Sequence, residues 1–476
     1  MGRTVATIVY AVGILGLFIL DRDRKSRTCS IALWVPILWV GIASSRMVSQ
    51  WLQPGSLNGT PDVYLDGSPL DRLILSVLMA LGFVVLVVRG RQVLSLLRAN
   101  RAILVFFLYC AVSSLWSDYP EVAFKRWIKA SGDLVMVLII LTESDRLTAL
   151  KRSLARLSFV LVPVSVLFIK YYPELGRAYG RWEGVQYFIG VAADKNMLGK
   201  ICLIFGLASA WRFLNEIMAE KETRKTGPLI AHGTTAFTAL WLTWEAHSLT
   251  SLSCLLLAVG LMTALKLPIV ARKPALIHLL VAFMLAASSC VLFSDAGSGL
   301  VQTLGRDPTL TGRTEVWNRV LGMSPNGLLG TGFESFWLGQ RLQQLWSIFW
   351  WHPNEAHNGY IEIFLNLGWV GIALLTLMLV TGYRNAVKAF QQNENAGNLL
   401  LAYFVTVVAY SLTEAGFRMM NPVWITCLLS ITAIPEARVV ENRLTLEADE
   451  VHHIAVLEPH ASQFVTTRAG RANESF

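Results

Sequence analysis

Thirteen apolar runs, most of them close to membrane length, leave this chain few ways to fold. They cover residues 4–20, 31–48, 70–88, 102–117, 130–142, 153–169, 196–214, 229–247, 249–268, 276–293, 357–381, 398–413 and 423–436. A helix needs about 20 mainly apolar residues to cross the hydrocarbon, and in lipid it must satisfy its own backbone polar groups. The expectation is an all-α, polytopic integral membrane protein with about 10–13 transmembrane helices and one large loop. Runs 130–142 and 423–436 are short, which sets the lower bound. Charged residues make up 15% of the chain, against roughly 25% in a soluble domain, so a large soluble core is excluded. The first run ends in DRDRK with no small-residue cleavage site, and reads as a retained span.

Positive charge orders the spans. Alternate loops carry Arg22, Arg24, Lys25 and Arg27, then Arg89, Arg91, Arg98 and Arg101, then Arg146, Lys151, Arg152 and Arg156. Arg212, Lys221, Arg224 and Lys225, then Lys266, Arg272 and Lys273, then Arg384 and Lys388 continue the series. By the positive-inside bias these loops are cytoplasmic. The N-terminus and loops 170–195 and 294–356 then lie outside. The net charge of +9 is explained this way, and no basic, aromatic-interleaved patch argues for nucleic acid. The six cysteines form no CxxC pair, so neither disulfides nor a thiolate metal site is expected. Residues 1–436 read as one transmembrane domain. Residues 437–476 read as a charge-mixed, disordered cytoplasmic tail.

Chemistry-capable side chains gather on the outer side. Arg306, Arg313, Arg319 and Arg341 lie in loop 294–356, Arg177, Arg181 and Lys195 in loop 170–195, and Arg418 in the last outer turn. Either they are salt-bridged in loops that translocate regardless of charge, or they face an anionic ligand. Thr311 or Thr314 is placed to cap a short helix over 315–321, which sets Arg313 near a helix N-terminus that favours anions. An arginine fork there suits a pair of phosphate oxygens; the alternative is pairing with Glu315 or Asp307. Arg177 and Arg181 form a second basic patch or snorkel to the headgroups. His357 titrates near neutrality and is a candidate base, or a boundary residue beside Asn358, the helix cap. Glu414 and Arg418 either pair across four residues or face one cavity. Asp133 is functional or pairs with Lys129. Gly330-Thr331-Gly332 is a turn signal only. The spacing of His352 and His357 does not match a zinc pair.

Four stretches, in order, resemble the O-antigen ligase and polysaccharide polymerase superfamily of bacterial inner membranes. They are GRAYGRWEGVQYFIGVAADKNMLGK (176–200), SLTSLSCLLLAVG (248–260), GRDPTLTGRTEVW with GLLGTGFESFW, and HNGYIEIFLNLGWVGI. The third is similar to the exopolysaccharide-polymerase branch more than to the lipopolysaccharide core ligases. The resemblance implies a metal-independent, cofactor-free glycosyltransferase with a periplasmic site. It implies an undecaprenyl pyrophosphate-linked oligosaccharide donor and a glycan or lipid-linked glycan acceptor. Membrane lipids and other polysaccharide export or assembly proteins would be its partners. Arg177 and Arg313 would hold the pyrophosphate, with Arg181, Arg306 and Lys195 adding positive charge. His357 would be the base, supported by Asn358, Glu414 and Arg418.

That chemistry suits the residues. Pyrophosphate leaves readily and needs charge stabilisation more than an acid, and a sugar hydroxyl gains roughly 10²–10⁴ in rate from a base. The alternative is a transporter or flippase for an anionic or lipid-linked saccharide. Paired broken helices or repeat symmetry would signal it, and the sequence shows neither.

Overall fold

In a computed structural model, residues 2–22, 29–53, 65, 67–179, 184, 186–293 and 313–434 are described. Arg181, Arg306, most of the 294–356 loop before Arg313, and the tail 437–476 lie outside them. The first half contains α1 (Arg3–Leu20), α2 (Trp34–Ala43), α3 (Pro69–Val88), α4 (Gly90–Ala99), α5 (Arg101–Val112), α6 (Pro120–Leu141) and α7 (Arg146–Tyr171). A small hairpin follows, β1 (Arg177–Tyr179) against β2 (Gln186–Phe188), antiparallel. The second half contains α8 (Lys195–Ile217), α9 (Thr226–Glu245), α10 (Leu249–Ala264), α11 (Pro274–Phe293), α12 (Arg313–Gly322), α13 (Gly339–Ile348), α14 (Gly359–Gln392), α15 (Glu394–Tyr410) and α16 (Pro422–Ile431).

Every apolar run read from the sequence coincides with helix, so the chain is an all-α, multi-pass membrane protein. Length and apolarity together single out five helices able to cross a membrane, or six if the α4–α5 pair counts as one span. The others are shorter or more polar. α8, one of the five, has Leu198 to Ser209 buried without a break, Lys200 among them, so other parts of the protein enclose it. All ten residues of α16 are buried too. By contrast α1 buries only Ala6 and turns Ile8, Val12 and Leu15 outward at about 60% exposure each. That pattern places α1 against lipid and α8, α15 and α16 at the centre.

Two breaks depart from the sequence reading, which takes 102–117 and 357–381 as simple spans and finds no broken helices. α4 and the helical stretch after it meet at 89°. α14 is interrupted at Gly368, whose φ of 63° and ψ of −163° no residue with a Cβ adopts readily. A Cβ there would also overlap the Leu328 carbonyl. The freed backbone groups are paired by the 326–332 loop: Thr331 N donates to Leu365 O (3.1 Å), Gly332 N to Asn366 O (2.8 Å) and Trp369 N to Gly327 O (3.0 Å). The Gly330-Thr331-Gly332 turn is thus a clamp on a broken helix. Gly330 and Gly332 both have positive φ, and a Cβ at Gly330 would meet the Asn366 backbone.

Residues 313–351 carry a second, smaller core. Val316, Val320, Phe336, Trp337, Leu342 and Leu345 pack with Ala356 and Leu365. This core joins the large loop to the first half of α14 and fixes the residues between them.

Candidate functional site

His357 sits in the strap between that loop core and α14. Asn358 caps α14, accepting from Tyr360 N (3.0 Å) and Ile361 N (3.1 Å). It also ties the strap to the turn after α15, donating to Leu412 O at 2.9 Å. The preceding peptide is held from both sides. Ala356 N donates to Glu362 Oε1 at 2.5 Å, and Trp317 Nε1 donates to Ala356 O at 2.6 Å. Glu362 is fixed in turn by Trp337 Nε1 at 2.9 Å. Held this way, His357 takes a φ of 49°, a left-handed conformation rare for residues other than glycine. Glu334 and Met420, close by, share it with φ of 51° and 54°.

His357 Nδ1 lies 2.8 Å from Glu355 Oε1 and 3.4 Å from Glu414 Oε2. Arg313 Nη2 donates to Glu414 Oε1 at 2.9 Å, and its Nη1 donates to the Thr413 carbonyl. Arg418 reaches Glu355 Oε2 at 3.1 Å and Glu334 Oε2 at 3.4 Å. Arg126 donates to the Glu334 carbonyl. Five ionised side chains therefore alternate in sign from Arg313 through Glu414, His357 and Glu355 to Arg418. Lys200, on α8, is 7% exposed and faces them; its charge lowers both Glu355 and Glu414. Among the described residues its amine makes no ion pair or hydrogen bond.

These contacts set the protonation states. Burial alone would lower the His357 pKa, but Glu355 and Glu414 more than reverse this and raise it to about 9. Burial would raise Glu355, but His357, Lys200 and Arg418 hold it well below the usual carboxylate value. Burial would also raise Glu414, which His357 and Arg313 bring below its usual value. At neutral pH the resting site thus holds an imidazolium between two carboxylates. His357 is a quarter exposed, and its Nε2 has no partner among the described residues, so that nitrogen is open to a ligand.

Glu355, His357 and Glu414 each offer a ligand atom within 4.8 Å of the others. Two guanidinium groups and the imidazole proton already balance those carboxylates, so the group is a compensated ion cluster before any cation arrives.

Of the residues expected to form the site, the structure brings together Arg313, His357, Asn358, Glu414 and Arg418. Arg313 stands at the first position of α12, close to the expected capped helix, but its partner is Glu414 and not Glu315. Glu414 and Arg418 do not pair with each other; each takes a separate carboxylate or cation of the same cluster. Arg177 stands apart: its Nε donates to Ile169 O at 2.7 Å, and its guanidinium lies 5.7 Å from the Phe188 ring centre. Lys195 lies over Tyr187, and the lysine that reaches the cluster is Lys200, five residues on. Asp133 binds Trp39 Nε1 (2.8 Å) and Met420 N (2.9 Å) and so anchors the Arg418 turn. His352 stacks on Trp346 with ring centres 4.5 Å apart. Sequence reasoning missed Glu355, Glu334 and Lys200. The clue to Glu355 was its place two residues before His357 in HPNEAHNGY.

A multi-pass helical bundle with an ordered acid–base cluster in the turns at one end is a membrane protein built for polar chemistry. Residues 235–376 match the sequence model of the O-antigen ligase family. The chain is also 24% identical over 345 residues, 70% of its length and 75% of the relative's, to the exopolysaccharide production protein ExoQ of Rhizobium meliloti (strain 1021). Together the two matches support the resemblance to the O-antigen ligase and polysaccharide polymerase superfamily that the chain's motifs carry. They support a role in polysaccharide assembly at the membrane. The family match includes Arg313, Glu334, Glu355 and His357, and leaves Lys200, Glu414 and Arg418 to segments on either side.

Proposed function

We propose that this chain is a metal-independent glycosyltransferase at the periplasmic face of the bacterial inner membrane, polymerising glycan from undecaprenyl pyrophosphate-linked donors in exopolysaccharide synthesis. Transfer to lipid A core, as an O-antigen ligase, is the next reading. The observation that carries the proposal is the alternation of Arg313, Glu414, His357, Glu355 and Arg418 around an open His357 Nε2.

On this reading neutral His357, with Nδ1–H directed at Glu355, takes the acceptor hydroxyl proton on Nε2. The hydroxyl oxygen bonds to the anomeric carbon as the carbon–oxygen bond to pyrophosphate breaks. The electron pair leaves with undecaprenyl pyrophosphate, whose charge Arg313 and Lys200 stabilise. Attack opposite the leaving group inverts the anomeric configuration. Arg313 must exchange Glu414 for phosphate, and Glu414 then turns wholly to His357. Arg177, Arg181, Arg306 and Lys195 are proposed, from the family resemblance, to add positive charge for the donor pyrophosphate. Because guanidinium groups supply the electrophilic charge, EDTA is expected to leave the rate unchanged.

The experiment is reconstitution with a lipid-linked oligosaccharide. New glycosidic bonds, lost in His357→Ala and Arg313→Ala while both variants remain in the membrane, support the proposal. Normal glycan output from both variants rejects the site. The breaks at Gly368 and at the α4–α5 elbow favour a second reading, a carrier for a lipid-linked saccharide. Movement of substrate without bond formation would establish it. Supplying a second lipid-linked repeat unit or lipid A core as acceptor separates polymerase from ligase.

A further inference from the structure

A second polar site lies at the other end of α14. A cleft of about 280 Å³ opens where the α4–α5 elbow meets the last turns of α14 and the end of α16. Arg98, Arg101, Arg384 and Lys388 line it, and no carboxylate does. Among the described residues none of the four makes an ion pair or hydrogen bond. This contrasts with the His357 end, where Arg313 and Arg418 meet carboxylates directly.

The cleft is built rather than incidental. Asn100 donates to Ala433 O (2.9 Å) and accepts from Ala433 N (2.7 Å), and Asn385 donates to Ile431 O at 2.9 Å. The two amides thus hold the end of α16 in place as a wall and leave the cations free. Ile103 and Met378 give the cleft an apolar side. α4 has the form of an interfacial helix: ten residues with Arg91 and Arg98 outward, Leu96 buried, and a sharp bend into α5. Small-molecule sites usually start at roughly 300 Å³, so the space suits one charged headgroup and not an oligosaccharide.

We propose that this cleft binds a phosphate-bearing anion, with the phosphodiester headgroup of an anionic phospholipid as its source. Cationic side chains, no counter-carboxylate, an apolar side and an interfacial helix fit a headgroup whose acyl chains continue into the bilayer. The bias toward basic residues on one membrane face accounts for the cations. It does not account for their meeting around a walled cleft.

The test uses the full chain in nanodiscs of phosphatidylcholine containing phosphatidylglycerol, with bound lipid read by native mass spectrometry and stability by thermal unfolding. Phosphatidylglycerol should be retained over phosphatidylcholine. The preference should fall at least about tenfold in Arg98→Gln/Arg101→Gln/Arg384→Gln/Lys388→Gln, since each basic group near an anionic surface contributes several-fold. The control Lys221→Gln/Lys266→Gln/Arg272→Gln/Lys273→Gln makes the same change in charge and should keep it. If the fourfold cleft variant does not fold, Arg384→Gln/Lys388→Gln, at two exposed positions of α14, should lose part of the preference. Stabilisation by inorganic phosphate in a zwitterionic detergent, equal to that by phosphatidylglycerol and lost in the cleft variants, supports the site with free phosphate as its source. Equal retention in cleft and control variants, or no preference in the unaltered chain, overturns the proposal.

Discussion

Replacing Glu355 with Gln should make His357 easier to deprotonate. The amide oxygen still accepts from Nδ1–H, so the ring keeps its orientation while one carboxylate charge is lost. The His357 pKa stands at about 9 against an ordinary 6.5, a difference worth roughly 3 kcal/mol. Coulomb attraction falls inversely with distance. At 2.8 Å against 3.4 Å, Glu355 therefore supplies slightly more than half of the attraction shared with Glu414. That attraction also offsets burial, so its full size exceeds the net shift. Losing Glu355 should lower the pKa by at least about 1.3 units, and the neutral fraction at pH 7 should rise from about 1% to about a sixth. Histidine-labelled protein in nanodiscs, with His357 assigned by difference from His357→Gln, gives the titration by NMR. If His357 is the base, the alkaline rise of the pH–rate profile moves toward neutrality in parallel. An unaltered protein whose His357 titrates near 6.5, or a variant whose midpoint does not move, would refute the electrostatic argument. A rate that falls as His357 deprotonates would make the imidazolium, not the base, the active form.

Other perturbations test separate parts of the structure. Arg313→Lys should fail to restore the activity lost in Arg313→Ala, because an ammonium cannot serve Thr413 O and Glu414 together or present a planar fork to phosphate; product formation at the unaltered rate would count against it. Gly368→Ala should destabilise the protein by at least about 3 kcal/mol, through backbone strain and overlap with Leu328 O, read as a lowered unfolding temperature. Glu362→Ala strands the donors Trp337 Nε1 and Ala356 N. It should cost about 1–3 kcal/mol for each and lower kcat through the loosened strap, while membrane insertion persists. Thermal stability should also depend on pH at this cluster. The raised His357 pKa stabilises at low pH, and that contribution is lost as pH rises from 6.5 through about 9. The lowered Glu414 pKa stabilises above its ordinary 4.5 and is lost as pH falls. His357→Gln should flatten the alkaline limb.

The helices were legible because lipid permits little else: a run of apolar residues long enough to cross must satisfy its own backbone. Arg313, His357, Glu414 and Arg418 stood out for a related reason, since charge is costly in an apolar chain. Their partners were not legible. Arg313 and Glu414 are separated by 101 residues, and spacing along a chain carries no information about such a meeting. Glu355 was hidden by its neighbours, as one polar residue among several in a loop. The break at Gly368 was hidden for the opposite reason. LNLGWVGI is mostly apolar on both sides of the glycine, and only the clamp from 326–332 shows that the helix stops. Arg177 came to the site through family resemblance, and in the structure its Nε donates to Ile169 O.

The shortness of the last two helices has a consequence for where the proposed reaction would take place. α15, with 17 residues, rises about 25 Å, and α16, with 10, about 15 Å. Both fall short of the hydrocarbon thickness of about 30 Å. They run between the Arg384–Lys388 end of the bundle and the turns that hold Glu414 and Arg418. If the basic cleft meets one headgroup layer, helices this short would leave those turns below the opposite one, and the cluster would lie at the floor of a depression several ångströms deep. A lipid-borne pyrophosphate would sink to meet it, and a hydrophilic acceptor would have to be drawn down after it. At that depth bulk water would be scarce, and an activated sugar would be shielded from hydrolysis until an acceptor hydroxyl arrives.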